Sequence, residues 1–269
     1  RVRTVNFKED SQLLTIGAYA FYQCTSLKEF IMPDGVATLG KTSDYSYYSV
    51  YDGKYYTFYY SNIFGGCTSL TKIHFSDALK VIPYRTCYEC TKLSEVTLPK
   101  NVESIEPYAF YKTTNLRNIT IPESTRNIYI YAFQESGIDS ISLPLKLSHL
   151  SEYAFQNCDN LKYIELPSYI GNYENQFYDC NGIEKVVSHS ATPPTISKDP
   201  FSNGNSKKYI TLVVPSFAVV NYKLDTYWMQ FGSIVEGDDI DYWKITSELS
   251  LTNNRRMDGK PDIDLYYGG

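Results

Sequence analysis

Apolar and polar positions along this 269-residue chain recur with one period of about 23 residues. Eight short segments repeat the same phrase: an aromatic after a small residue, then Cys, then a Leu/Ile-rich stretch ending in Pro. The clearest copies are Ala20-Phe21-Tyr22-Gln23-Cys24-Thr25-Ser26-Leu27 and Ala154-Phe155-Gln156-Asn157-Cys158-Asp159-Asn160-Leu161, with Ala109-Phe110 and Leu116 between them. Phe marks fall at Phe21, Phe64, Phe110, Phe133, Phe155, Phe177 and Phe201, with Cys87 in the missing slot. The steps are 43, 23, 23, 23, 22, 22 and 24. A fixed period of this length predicts a stack of equivalent coils rather than a closed globule.

Residues 103–125 serve as the type unit. Glu103-Ser104-Ile105 predicts a brief extended piece, Glu106-Pro107-Tyr108-Ala109-Phe110 a turn or short helical piece, and Leu116-Arg117-Asn118-Ile119-Thr120-Ile121-Pro122 a strand closed by Pro. The brief strands align as an inward column of Ile16, Leu39, Ile82, Ile105, Ile128, Leu150 and Tyr173. The longer strand supplies three more columns, headed by Leu27, Phe30 and Met32. Each coil thus offers about five large apolar positions, each worth roughly 1.5–3 kcal/mol when buried. Ordering the backbone costs about 1–2 kcal/mol per residue, so one coil cannot stand alone. Stacked coils bury both faces and share stability between neighbours. The expected fold is a β-rich repeat solenoid of about eight coils, with Pro33, Pro99, Pro122, Pro144, Pro167 and Pro215 where each strand leaves its sheet.

The strand phrase leaves two outward columns. One contains Glu29, Lys72, Glu95, Asn118, Tyr163 and Lys185; the other contains His74 and Glu165. These residues are the first binding candidates, because an exposed solenoid sheet is a surface on which extended partners dock. The same columns also fit a sheet face that is merely solvated.

Residues 41–60 are the one segment outside the period. They carry Tyr45, Tyr47, Tyr48, Tyr51, Tyr55, Tyr56, Tyr59 and Tyr60, together with Phe58. Asp52-Gly53 predicts a two-residue hairpin turn, pairing Tyr51 with Lys54, Val50 with Tyr55, Ser49 with Tyr56 and Tyr47 with Phe58. One face would hold Tyr45, Tyr47, Tyr51, Tyr56, Phe58 and Tyr60, and the other Tyr48, Val50, Tyr55 and Tyr59. Tyrosine combines large contact area, few rotors and a hydroxyl. These nine aromatics are the second set of binding candidates; packing against neighbouring coils is the alternative role.

Composition then removes several classes of function. A formal charge of −5, from 25 basic and 30 acidic residues, lacks the basic stripe that nucleic acid requires. No apolar run approaches the roughly 20 residues of a membrane span, and residues 1–20 have no signal-peptide layout. Cys87-Tyr88-Glu89-Cys90 has the spacing of a redox or zinc half-site. Cys90, however, shares a repeat slot with Cys24, Cys67, Cys158 and Cys180, and Cys87 sits in the Phe slot. Periodicity therefore reads these cysteines as buried free thiols, with an inter-coil disulfide open in an oxidising compartment. His74, His149 and His189 occupy unrelated coil positions. The acidic run from Asp258 to Asp264 misplaces the glycine and terminal glutamate of an EF-hand loop. No nucleophile motif, phosphate loop or metal-ligand cluster stands out; the expectation is no catalytic residue, no metal and no cofactor.

The repeated phrase resembles the BspA-like class of leucine-rich repeats, whose unit reads approximately I-G-x-x-A-F-x-x-C-x-x-L-x-x-I-x-L-P. Ile16-Gly17-Ala18-Tyr19-Ala20-Phe21-Tyr22-Gln23-Cys24-Thr25-Ser26-Leu27, ending in Phe30-Ile31-Met32-Pro33, matches it. Departures are local: Cys87 replaces Phe, Thr113 and Ser136 replace Cys, and Asn181-Gly182-Ile183 closes its coil differently. The resemblance covers residues 1–236 and implies a right-handed leucine-rich-repeat superhelix. Its terminal unit, residues 195–236, includes a helix over 216–231 expected to cap the core with Phe217, Val220, Tyr222, Leu224, Trp228 and Phe231. Residues 237–269 would be a tail or the start of a following module. Because Val2-Arg3-Thr4-Val5-Asn6-Phe7 already fits the strand phrase, the chain is expected to be a fragment or processed form with its targeting signal elsewhere. The resemblance further implies an extracellular or cell-surface, non-enzymatic, adhesin-like protein that binds a host matrix or microbial surface protein. The alternatives are a carbohydrate-binding accessory segment of a larger nutrient-capture protein, with a glycan as ligand, or a structural spacer.

Overall fold

The computed structural model describes residues 2–40, 44–49, 54–59, 61–168 and 173–237, and the backbone alone for 44–49 and 54–59. The chain winds into a solenoid of about nine coils with parallel stacked sheets. Its first strands are β1 (Thr15–Ile16), β2 (Glu29–Ile31), β3 (Thr38–Leu39), β4 (Asp44–Ser49) and β5 (Lys54–Tyr59). The middle of the chain adds β6 (Lys72–His74), β7 (Val81–Ile82), β8 (Glu95–Thr97), β9 (Ser104–Ile105) and β10 (Asn127–Ile128). Then follow β11 (Ser140–Ser142), β12 (His149–Leu150), β13 (Tyr163–Leu166), β14 (Lys185–Ser188), β15 (Thr211–Pro215), α1 (Val219–Leu224) and β16 (Ser233–Gly237).

Every strand except the β4–β5 pair adds in parallel to its counterpart in a neighbouring coil. The longer strands form the sheets β2-β6-β8 and β11-β13-β14-β15-β16, and the brief ones form β1-β3 and β7-β9-β10-β12. Register follows the repeat: Glu29 opposes Lys72, Lys72 opposes Glu95, and Ile73 sits between Phe30 and Val96. All seven residues of the brief-strand column are buried, as are the columns headed by Leu27 and Met32. Val96 is the half-buried member of its column.

The Phe marks form a ring stack along the axis. Centroids lie 5.2 Å apart for Phe110–Phe133, 5.1 Å for Phe133–Phe155, 5.4 Å for Phe155–Phe177 and 5.5 Å for Phe177–Phe201. These spacings are close to the about 4.8 Å between neighbouring strands, so the coil repeat itself sets the stacking. The cysteine slot has an equally local purpose. Four of its five thiols donate to the carbonyl of the Phe mark one coil earlier: Cys67 to Phe21 at 3.0 Å, Cys90 to Phe64 at 3.0 Å, Cys158 to Phe133 at 3.2 Å and Cys180 to Phe155 at 3.0 Å. All six cysteines are free. Burial pushes the Cys67 thiol up to about 12, far from the reactive thiolate.

Gly137 shows how the stack absorbs a missing residue. Ile138 follows Phe133 by five positions, where Leu116 follows Phe110 by six. The shortened turn brings the backbone so close to the preceding coil that a Cβ at Gly137 would lie 2.1 Å from the Thr114 carbonyl oxygen.

Three expectations need correction. The insertion does form an antiparallel hairpin, but its register is offset by two: Ser49 pairs with Lys54, Tyr48 with Tyr55, Tyr47 with Tyr56 and Tyr45 with Phe58. The pairing is therefore not centred on Asp52-Gly53, and residues 50–53 lie outside the described residues. The side chains of 44–49 and 54–59, and Tyr51 and Tyr60 altogether, lie outside the described residues, as does the segment 238–269.

The second correction concerns the terminal unit. Residues 216–231 are not one helix but a 3₁₀ turn at Ser216–Ala218, the single short helix α1, and another 3₁₀ turn at Trp228–Gln230. Tyr222, Trp228 and Phe231 are buried as expected, whereas Phe217, Val220 and Leu224 are 50%, 64% and 76% exposed. The segment is a crossover that leads into β16, which pairs in parallel with β15. The sheet is continued beyond β15 by another strand, and α1 is the C-terminal helix, placing Tyr222 in the core.

Third, the outward sheet is not continuous. No β ladder includes Asn118, and none joins β8 to β11 among the described residues. Ile119 and Ile121 are buried all the same, so side-chain columns hold this coil in the stack where the backbone ladder lapses.

Candidate functional site

The sheet face brings the first candidate set together in two groups. Glu29, Lys72 and Glu95 are register neighbours, with Lys72 Nζ 3.0 Å from Glu95; His74 lies between Ile31 and Thr97 on the adjacent column. Across the gap at Asn118, Tyr163 opposes Lys185, whose Nζ lies 5.7 Å from the Tyr163 ring. Glu165 accepts from Ser142 at 2.6 Å and pairs with His189 at 2.6 Å. The His189 hydrogen bond, set against burial, holds the Glu165 carboxyl below its ordinary range. These charged groups are largely satisfied within the chain, and pairs as exposed as Lys72–Glu95 are screened by solvent. Further coil-to-coil pairs of the same kind are Lys80–Glu103, Lys100–Asp77, Arg117–Asp139 and Lys162–Glu184.

A different face carries the more continuous surface. The turns around the Phe marks use left-handed residues on both sides, except before Phe201: Tyr19, Asn62, Arg85, Tyr108, Tyr131, Tyr153 and Asn175 before the mark, and Gln23, Gly66, Glu89, Lys112, Glu135, Asn157, Asp179 and Asn203 after it. Left-handed backbone costs roughly 1–2 kcal/mol at a residue with a Cβ. The stacked coils repeat it because the Phe ring must turn inward while its neighbours turn outward. The outward neighbours are mostly tyrosines and amides.

These side chains form a ladder. The Tyr88 and Tyr111 rings stack at 4.7 Å, Tyr108 and Tyr131 lie at 5.0 Å, and Tyr131 and Tyr153 stack at 5.7 Å. Tyr153 then meets Tyr178 edge-on at 5.6 Å, and Tyr108 meets Tyr111 edge-on at 5.8 Å. Between them the Gln134 amide donates to Gln156 at 3.0 Å. Tyr19 and Tyr22, both exposed, repeat the arrangement at the N-terminal end. Asn62 and Gly65 leave one coil without an aromatic.

Tyr88, Tyr108, Tyr111, Tyr131, Tyr153 and Tyr178 are all half-buried. Neighbouring rings cover much of each other's faces in the stacked pairs, which leaves edges and hydroxyls for a partner. Burial raises the Tyr88, Tyr131 and Tyr153 hydroxyls above their ordinary range, so they are neutral donors and acceptors at physiological pH. Lys112 lies over the Tyr111 ring at 5.1 Å and 3.7 Å from Glu135. Arg85 stands at the end of the continuous ladder with its guanidinium carbon 4.6 Å from the Tyr88 ring, 5.1 Å from Tyr84 and 5.4 Å from Tyr108.

The strand columns carry no sign of this surface; its signal in the sequence is the recurrence of Tyr two places before and one place after the Phe marks. No cluster of three His, Cys, Asp or Glu side chains able to hold a metal occurs among the described residues. No helix among the described residues is long and apolar enough to cross a membrane.

Comparison with known proteins agrees with the fold. The family model for the BspA type leucine rich repeat region matches residues 2–90 and 80–208 in six copies. No curated protein matches the chain. A leucine-rich repeat protein from Bacteroides ovatus superposes with a TM-score of 0.52 at 17% identity, covering 78% of this chain and 60% of that one. A leucine-rich repeat protein from Eubacterium ventriosum gives 0.51 at 22% identity, covering 65% and 41%. The chain thus spans less than two thirds of the length of either structure, and the likeness is one of fold.

Proposed function

The chain belongs to the BspA-type leucine-rich-repeat family, and we propose that it is a non-catalytic recognition segment of a bacterial surface or secreted protein, binding a protein ligand along its tyrosine ladder. The observation that carries this reading is the run of half-buried tyrosines from Tyr88 to Tyr178, stacked across successive coils with hydroxyls and amides interleaved. Such a surface is already rigid, so a partner gains contact area without ordering flexible side chains. Stacked rings present edges rather than open faces, which favours hydrogen bonding to a polypeptide over stacking on a sugar. A host matrix protein or the surface protein of another microbe is the class of partner this reading names, in an extracellular setting. The insertion at 41–60 and the sheet residues Lys72 and Lys185 are secondary contacts in the same proposal.

The experiment is binding of the purified chain to immobilised matrix proteins, bacterial surface proteins and a glycan array. It is repeated with Tyr131→Ala/Tyr153→Ala, with Lys72→Ala/Lys185→Ala and with residues 42–60 replaced by a short Gly/Ser link. The ladder variant is expected to weaken protein binding at least tenfold while the other two change it less. Equal binding by a folded ladder variant, or hits confined to saccharides, would overturn the proposal.

A further inference from the structure

Arg85 differs from the other described arginines. Arg117 pairs with Asp139, Arg126 donates to the Glu123 carbonyl, and Arg3 is exposed. Arg85 is half-buried, has no carboxylate within ion-pair distance among the described residues, and keeps its Nε shielded from solvent without any acceptor. Its backbone is anchored by an N–H donated to the Pro107 carbonyl at 3.2 Å. Tyr84, Tyr88 and Tyr108 surround the guanidinium at 4.6–5.4 Å. Rings hold and partly dehydrate a guanidinium, but they satisfy none of its N–H donors in the plane of the fork.

The one buried acid among the described residues does not serve it. Glu106 accepts the Tyr84 backbone N–H at 2.9 Å and makes no ion pair among the described residues. With Nε shielded, the two terminal nitrogens are the donors turned to a ligand, and this planar pair is matched by a planar acceptor with two oxygens, the shape of a carboxylate. The net charge of −5 repels a polyanion as a whole, so the match is to a single carboxylate on an otherwise uncharged stretch rather than to a sulfated polysaccharide.

We propose that Arg85, caged by Tyr84, Tyr88 and Tyr108, anchors one Asp or Glu carboxylate of the bound polypeptide, with the tyrosine ladder receiving the uncharged residues beside it. This rests on the reading of the ladder as a protein-binding surface. It adds a ligand chemistry and a fixed end from which that ligand runs.

The test uses nitrogen-labelled arginine in the intact chain. The shielded Arg85 Nε–Hε signal is identified by its loss in Arg85→Lys. A capped aspartyl-tyrosine dipeptide is titrated at constant ionic strength beside its asparaginyl counterpart and a heparin fragment. Saturable movement of the Arg85 signal with the aspartyl probe alone is expected. Followed at the Tyr108 ring, binding should weaken at least tenfold in Arg85→Lys, which keeps the charge and loses the fork.

Equal response to the asparaginyl probe, undiminished binding by Arg85→Lys, saturation by heparin alone, or no saturable response to any probe overturns the assignment. The two readings fail separately. If Arg85→Lys binds a protein ligand unchanged while Tyr131→Ala/Tyr153→Ala does not, the anchor falls and the ladder stands. If the dipeptide saturates Arg85 while the ladder variant binds proteins normally, the ladder falls.

Discussion

Glu106 provides a quantitative check on the packing. Its carboxyl lies in the wall of the stack, 8% exposed, and its only hydrogen bond among the described residues is the Tyr84 N–H at 2.9 Å. Burial raises its pKa from the ordinary 4.5 to about 7, and the Tyr84 hydrogen bond offsets only part of that rise. The difference between those two values, at about 1.4 kcal/mol per pH unit, is roughly 3 kcal/mol. A carboxyl that binds its proton more tightly when folded makes the folded state less stable as pH rises. The loss begins near the unfolded value of 4.5 and is complete above about 7.

Glu106→Gln removes the titration and keeps an oxygen to accept from Tyr84. The variant should match the parent near pH 4 and gain up to roughly 3 kcal/mol by pH 8. Urea unfolding at intervals from pH 4 to 8 measures the global difference. Hydrogen exchange at Ile82 and Tyr84 reads it locally, which matters because solenoid coils are coupled chiefly to their neighbours. A stability difference that does not change across this pH range would show that the carboxyl is not buried as described.

Three further outcomes follow from the stack. Gly137→Ala forces a Cβ to within 2.1 Å of the Thr114 carbonyl oxygen and should cost about 1–3 kcal/mol or more, seen as a lowered urea midpoint. Phe133→Ala empties a fully buried site between Phe110 and Phe155 and should cost about 3–5 kcal/mol, with loss of exchange protection centred on the coils to either side. Cys90→Ser keeps a donor for the Phe64 carbonyl, whereas Thr113 and Ser136 in the same slot elsewhere turn to the Phe110 carbonyl of the same coil and to the Cys158 thiol. It should therefore be milder than Cys90→Ala, which leaves that oxygen unsatisfied at about 1–3 kcal/mol; calorimetry of the pair decides it.

How far the sequence reaches depends on which interaction sets each feature. The inward columns were readable because a side chain repeated every 22–24 residues has one environment, and apolar groups at that spacing must face the axis. Val96 is the partial exception, half-buried in the middle of β8, the edge strand of its sheet. The terminal unit was misread because Phe217, Val220 and Leu224 resemble a core face, whereas Ala218, Tyr222 and Trp228 are the residues turned inward. A segment of six helical residues carries too little periodicity to distinguish the two faces. The hairpin register failed for a related reason: Asp52-Gly53 favours a tight turn locally, but pairing over Asp44–Ser49 and Lys54–Tyr59 is a sum over the strands. Of the proposed site residues, Glu29, Lys72 and Glu95 proved adjacent, as did Tyr163 and Lys185, while Asn118 joined neither ladder.

The 23-residue period alone determined the solenoid, its parallel sheets and the structural use of the cysteines, because a repeated local pattern leaves each buried side chain one way to face. Tertiary structure decided how the outside of the coils is arranged. Whether Tyr108 is a solitary surface ring or a rung between Tyr88, Tyr111 and Tyr131, and whether Arg85 finds a carboxylate or only rings, depends on residues that neighbouring coils bring within a few ångströms. Sequence separation conceals those distances, and only the winding of the chain creates them.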